Sequence, residues 1–253
     1  MHASKFFPLP LLFLLSISFS ANALEDQWLK KMSDKLASAN AFTFSTTETH
    51  DGMSPSGKQI NRSFSRTVLV RRPNRVYIRV DGKKDWNIWY DGKFITAVSE
   101  TDKAYIEASM PATIDETLDE IADRWDMNMP MSDVLYSNPY ESLISPETKG
   151  GPAGDEKIGG ILCHHSAYQD AATKWEIWIS DKDALPCKLK IVFEEQERKT
   201  VSVINFSNWN LSPKVSDQDF VAKIPDGYER IPVMERVHLV PRSELPQTQK
   251  SQK

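Results

Sequence analysis

From residue 24 onward the apolar positions first keep a helical period. Leu24, Trp28, Met32 and Leu36 recur every fourth position with charges between them, which gives a helix one stripe to bury. Near Ala39-Asn40 the period changes to two. Phe42 and Phe44 alternate with Thr43 and Ser45, as in a half-buried strand, until Gly52, Pro55 and Gly57 interrupt the pattern. Strands are predicted over 60–71 and, beyond Pro73, over 76–80, where Val76, Ile78 and Val80 alternate with Tyr77 and Arg79. Asp81-Gly82 marks a turn before Trp86, Ile88 and Tyr90. Asp91-Gly92 is a strong hairpin signal leading into 94–98, and 104–108 completes this half. The links are short, so neighbouring strands are expected to be antiparallel.

The middle of the chain returns to a helical period. Thr113 with Glu116 forms a T-x-x-E capping pattern, after which Ile114, Leu118, Ile121 and Trp125 share one face. Asp115, Glu116, Asp119, Glu120 and Asp123 fall on the other, which reads as a solvated surface rather than a paired-carboxylate site. Pro130 ends this helix, and a weaker helical pattern over 132–135 leads to Asn138-Pro139. Gly150, Gly151, Pro152, Gly154, Gly159 and Gly160 read as a loop. A second set of strands follows at 161–168, 175–179, 188–193 and 201–208, with a short last one around Phe220. From Pro241 the tail is polar and expected to be disordered. The expected organisation is one domain over 24–240 with a helical insertion at about 111–145, and a tail at 241–253.

Several strands carry large residues on both faces: Trp89 beside Trp86, Ile88 and Tyr90, and Trp178 beside Trp175, Ile177 and Ile179. An open antiparallel sheet needs only one covered face. Helices on one side, with strand curling or a ligand on the other, would account for the excess.

The N-terminus changes the expected compartment. Lys5, an apolar core at 9–19 and Ala21-Asn22-Ala23 have the layout of a secretory signal peptide over 1–23, cleaved after Ala23. The apolar run is shorter than the roughly 20 residues a membrane-spanning helix needs. No cysteine follows the small residues to carry a lipid. Removing 1–23 takes away one of the 31 basic residues and none of the 35 acidic ones, so the net charge goes from -4 to -5. Such a balance gives no reason to expect nucleic acid as a partner. The whole chain is 253 residues, 40% hydrophobic and 26% charged, which excludes a disordered or fibrous protein.

The chemistry on offer is sparse. In the strand Cys163-His164-His165, Cys163 and His165 share a face and His164 takes the other. Two ligands from one strand fall short of the three or four of a zinc site, and a Cys–His nucleophile pair lacks an orienting third group. Cys163 and Cys187 are the only cysteines, and export would favour a disulfide between them. Against it, a meander puts their strands two spacings apart, about 9.5 Å, when a bridge wants Cα atoms within roughly 7 Å. Cys187 follows Pro186 at a strand start, where the chain can bend across, and the sequence leaves both states open. No H-E-x-x-H, G-x-S-x-G, Walker or dinucleotide-glycine pattern is present. Neither a cofactor, a metal site nor a catalytic set is expected.

A resemblance adds to this reading. Arg71-Arg72-Pro73-Asn74-Arg75, the hairpin Tyr90-Asp91-Gly92-Lys93 and the helix start Thr113-Ile114-Asp115-Glu116 are similar to segments of a bacterial family of predicted periplasmic proteins of unknown function. So are Cys163-His164-His165, the 175–179 strand with Leu185-Pro186, and the ending Phe220…Pro225-Asp226-Gly227. The similarity spans nearly the whole mature chain. The family in turn resembles the lipoprotein carriers LolA and LolB, in which helices close a curled sheet whose hollow holds acyl chains. The resemblance implies an α+β, mainly β, fold: a curled antiparallel sheet or half-barrel with an N-terminal helix and a mid-chain helical lid. The same fold also serves as a sensor module in an envelope-stress regulator, so fold alone does not decide function.

The expected function is that of a periplasmic, non-catalytic carrier or binding protein for a lipid, an acylated protein or another apolar ligand. The alternative is an envelope protein-interaction or stress-sensor module whose interior is packed. Periodicity assigns the lining to Phe42, Phe44, Val76, Ile78, Trp86, Ile88, Trp175, Ile177, Ile179, Leu189 and Ile191, and the lid to Ile114, Leu118 and Ile121.

Overall fold

The computed structural model describes residues 26–53, 58–125, 129–170, 173–195 and 198–232. The leader read at 1–23, Leu24 and the tail at 241–253 lie outside the described residues. In chain order the elements are α1 (Gln27–Ser38), β1 (Ala41–Met53), β2 (Gln59–Arg71), β3 (Arg75–Asp81), β4 (Trp86–Tyr90), β5 (Phe94–Ser99) and β6 (Ala104–Ser109). Then come α2 (Ile114–Trp125), a 3-10 turn (Ser132–Leu135), α3 (Pro139–Leu143), β7 (Lys149–Ile158), β8 (Ile161–Gln169), β9 (Thr173–Ser180), β10 (Pro186–Glu195) and β11 (Arg198–Asn210). A second 3-10 turn (Asp217–Phe220) and β12 (Glu229–Arg230) end the described chain.

The strands form one open, curled sheet in the order β12-β6-β5-β4-β3-β2-β1-β11-β10-β9-β8-β7. Two antiparallel meanders, β1–β6 and β7–β11, join where β1 pairs with β11. This topology dictates where the helices go. β6 lies beside one edge and β7 forms the other, so the chain between them must cross the width of the sheet. It does so over the concave face, carrying α2, the first turn and α3.

α1 lies on the same face. Asp26 caps it, accepting from the backbone of Trp28 and Leu29 at 3.0 Å each, and also accepts from Tyr168 Oη at 2.7 Å and from the Ser166 hydroxyl, which pins the helix to β8. Its buried residues are Leu29, Met32, Ser33 and Leu36, so the stripe is centred one position away from the predicted one. Trp28 sits at the margin and stacks on His164 at 3.8 Å. Ser33 Oγ donates to Asn138 Oδ1 and accepts from the Tyr140 backbone, locking α1 to α3.

The structure corrects the sequence reading in two places. Of the segment read as a loop, Gly150, Gly151, Pro152 and Gly154 lie in edge strand β7, which pairs with β8, while Gly159 and Gly160 form the turn between the two strands. Glycine content signals a loop only where no neighbour supplies backbone partners; at Gly150 (φ 133°) a Cβ would lie 2.1 Å from the Ala167 carbonyl oxygen, so glycine is what lets the two strands meet. Phe220 is not in a strand but ends a 3-10 turn, buried with 1% exposure, and the last strand is β12, parallel to β6. The turn lies beside β3, and Arg71 sits over the Phe220 ring at 5.0 Å. Residues 139–143, within the stretch expected as a helical insertion but given no element of their own, form a short helix with Asn138 as N-cap and Pro139 in the first turn.

Candidate functional site

Between α2 and the concave face of β3–β6 lies an apolar cavity of about 240 Å³. Register explains its floor: Val76 faces Tyr90, Ile78 faces Ile88, Ile88 faces Ala97 and Ala97 faces Ile106, so one row of side chains points the same way. Ala97 is short, and the row above it is left unfilled. The roof is Ile114, Leu118, Ile121 and Trp125 of α2, with Met129 and Leu135 at the side. Two polar groups of the wall are satisfied locally. Tyr90 Oη donates to the Pro111 carbonyl at 2.6 Å, and Thr117 Oγ1 to the same oxygen at 3.5 Å.

The helix is fastened at one end. Thr113 Oγ1 accepts from the Glu116 backbone at 3.2 Å and donates to the Glu116 carboxylate at 2.8 Å, while Ile114 N donates to the Pro73 carbonyl. Asp115 accepts from Ser137 N at 2.9 Å, and Asp119 from Tyr136 Oη at 2.8 Å. Two of the acids read as a solvated face therefore bind the neighbouring turn. Arg72 reaches the Leu135 and Tyr136 carbonyls at 2.9 and 2.7 Å; burial lowers its guanidinium pKa, opposed by Asp115. Farther along α2, Arg124 pairs with Glu120 at 3.1 Å on the exposed side of the helix.

Of the residues assigned to the lining, Val76, Ile78 and Ile88 form the cavity floor, and the lid residues Ile114, Leu118 and Ile121 form its roof. Phe42 and Phe44 lie in the packed centre, where Phe44 stacks on Trp209 at 4.4 Å. Trp175, Ile177, Ile179, Leu189 and Ile191 belong to the buried core of the other half. Trp175, Leu189 and Ile191 also wall a void of about 140 Å³ beside Asp133, whose carboxyl is pushed up by burial and accepts from Ser142 Oγ at 2.6 Å. Trp86 is half-buried in a separate rim groove with Arg62, Phe64 and Lys84. Ile95, Ala97 and Ile106 were missed, although β5 and β6 carry the same alternation that marked β3.

Sequence reasoning also missed a polar cluster farther along the concave face. On β1 the inward positions change from Phe42 and Phe44 to Thr46, Glu48 and His50. The fully buried Glu48 carboxylate accepts from Thr46 Oγ1 and Arg66 Nη1, each at 2.6 Å, and from His50 Nε2 at 3.3 Å. His50 Nδ1 lies 2.7 Å from Ser202 Oγ across the β1–β11 pair. Burial raises the Glu48 pKa, but the His50, Arg66 and Thr46 interactions outweigh it and hold the carboxyl below its usual range. His50 and Ser202, with Arg62 and Arg66, border an open depression of about 380 Å³. The signal was the lapse of apolar alternation after Phe44.

On the convex face Cys163 and Cys187 form a disulfide with Cα atoms 7.0 Å apart. The meander argument underestimated how close they come. Cys163 pairs with Ser180, the last residue of β9, and Cys187 sits in the register shift between Pro186 and Lys188. At that irregularity the regular spacing between alternate strands does not apply. His165 stacks on Trp178 beside the bridge at 4.3 Å, and its Nε2 meets Glu176 at 3.0 Å. His164 points to the other face, between Asp155 and Asp181.

With this geometry in place, comparison with known proteins is informative about family. The profile of a family described as predicted periplasmic proteins (DUF2092) matches residues 25–234. The chain belongs to this family. No curated protein matches it. Among solved structures it is similar to a LolA superfamily protein from Nitrosomonas europaea, at 10% identity and TM-score 0.35, covering 77% of this chain and 97% of that one. It is also similar to a putative outer membrane lipoprotein-sorting protein domain from Vibrio parahaemolyticus (10% identity, TM-score 0.31, 76% and 95% covered). A third is MucB in the MucA/MucB complex of Pseudomonas aeruginosa (13% identity, TM-score 0.36, 85% and 66% covered). As a DUF2092 member, the chain is assigned to a family of predicted periplasmic proteins, and among its described residues no helix is long and apolar enough to cross a membrane.

Proposed function

We propose that this DUF2092 protein is a periplasmic binding protein that holds an apolar ligand, such as a lipid or acylated chain, beneath α2 and does no chemistry on it. The observation that carries this reading is the cavity of about 240 Å³ under a helix fastened at its first turn. Apolar side chains that fail to meet forfeit contact energy, and cores are normally packed with few voids larger than water. A ligand chain would restore those contacts at roughly 0.8 kcal/mol per buried methylene. Val76, Ile78 and Ile88 are the lining and Ile114, Leu118 and Ile121 the lid in this reading. Phe42, Phe44, Trp175, Ile177, Ile179, Leu189 and Ile191 serve as the packed frame that keeps the half-barrel open, and Trp86 stands outside the site.

Native mass spectrometry of the protein purified from its own cell envelope tests this. A stoichiometric amphiphile, released by organic extraction, is the expected result. A ligand-free protein that also fails to take up a fluorescent fatty-acid probe overturns it.

A second reading, an envelope protein-interaction module, is favoured by one feature. Ile161 and Leu162 are 51% and 41% exposed at the start of β8, beside edge strand β7. Charged replacements there would weaken capture of a protein partner and leave probe uptake unchanged.

A further inference from the structure

Trp125 sets the apolar cavity apart from ordinary unfilled core. Its indole Nε1 is buried and has no hydrogen-bond partner among the described residues. The other polar side chains of the wall, Tyr90 and Thr117, are both committed to the Pro111 carbonyl. A buried donor without an acceptor carries a desolvation penalty that Phe or Leu at the same place on the stripe would not. Trp125 is also the residue shared by the cavity and an outer groove formed with Ala108, Ser109 and Ile231. The unpaired donor thus belongs to the boundary between the apolar interior and solvent, at the C-terminal end of α2.

The charges around that boundary fix the kind of acceptor. Arg230 pairs with Glu107 at 3.2 Å, and Arg124 pairs with Glu120 at 3.1 Å. Both cations of the groove are therefore matched by a carboxylate. An anionic headgroup would have to displace one of those carboxylates, whereas a neutral carbonyl needs only the indole N–H. We propose that the cavity takes an acyl chain ending in an uncharged ester or amide carbonyl, which accepts the Trp125 Nε1–H while the chain lies under α2. This rests on the reading of the cavity as a binding site and specifies the class of ligand.

The test uses the full mature chain, ¹⁵N-labelled, with dodecane, methyl dodecanoate and sodium dodecanoate as probes. Methyl dodecanoate is expected to move the Trp125 indole N–H resonance downfield and to bind about tenfold more tightly than dodecane, equivalent to about 1.4 kcal/mol. Trp125→Phe should retain dodecane binding and lose the preference for the ester. Equal binding of dodecane and the ester, or a preference that survives in Trp125→Phe, overturns the inference and leaves the cavity reading standing. Tighter binding of the dodecanoate anion than of the ester overturns the uncharged-carbonyl assignment. If none of the three probes binds, both the cavity reading and this inference fall together.

Discussion

Glu48 is a buried carboxylate on the same face of β1 as Phe42 and Phe44, and its surroundings explain how it stays charged. Thr46, His50 and Arg66 supply its donors on the concave floor. Removing one partner of a buried ion pair leaves the other uncompensated, so Glu48→Gln should cost about 3–5 kcal/mol in urea unfolding. The folded pKa is lowered, so the contribution is present above the ordinary carboxylate range and is lost as pH falls through the folded value. Wild-type stability should therefore drop in acid more steeply than that of Glu48→Gln, in melts taken between neutral pH and pH 3. Gly150 is the opposite case, a residue defined by the atom it lacks. Its positive φ and the nearby Ala167 carbonyl predict that Gly150→Ala loses more than about 1 kcal/mol, with faster amide exchange confined to β7 and β8. Neither role was legible in sequence. The local pattern did not single out Glu48, and Gly150 read as a loop residue, because both roles depend on what lies across the strand pair.

At the scale of elements, α2 was the most readable part of the chain. The Thr113 cap and the Ile114, Leu118, Ile121 stripe are local properties of a 3.6-residue period, and they appear as read. What the period could not give was the helix's partner, since the apolar row on β3–β6 lies in a distant stretch of chain. Filling the space between the two is a direct test. Ala97→Leu should abolish uptake of a fluorescent fatty-acid probe and leave the melting temperature unchanged or slightly raised, because it extends into existing space. The disulfide is a second element-level device, stapling β8 to β10 over the end of β9. For a sequence separation of 24, opening it with Cys163→Ser and Cys187→Ser together should cost about 3 kcal/mol, read by chemical denaturation of the double variant.

For the whole molecule, one sheet edge next to β6 and the other at β7 force the intervening segment across the concave face. That single topological fact makes residues 110–148 the cover of the half-barrel. It also divides the interior. Toward β3–β6 the cover leaves the apolar cavity of about 240 Å³; toward β8–β10, α1 lies against β9 and Leu143 of α3 borders the smaller void beside Trp175 and Leu189. Periodicity spread the lining over both halves, and in the proposed reading only Val76, Ile78 and Ile88 of that set meet the ligand, since alternation reports which face is buried and not whether anything fills the space above it.

The sequence by itself determined the strands with strong alternation, the two amphipathic helices and the meander order, because each depends on residues within one local period or turn. It also determined the family, through segments spread between residues 71 and 227. Only the tertiary structure decided that glycines could build an edge strand, that Glu48 would be held charged inside, that a register shift would bring Cys187 to Cys163, and that the Trp125 donor would find no acceptor among the described residues. Each of those rests on atoms brought together from distant parts of the chain, and local pattern carries no information about such distances.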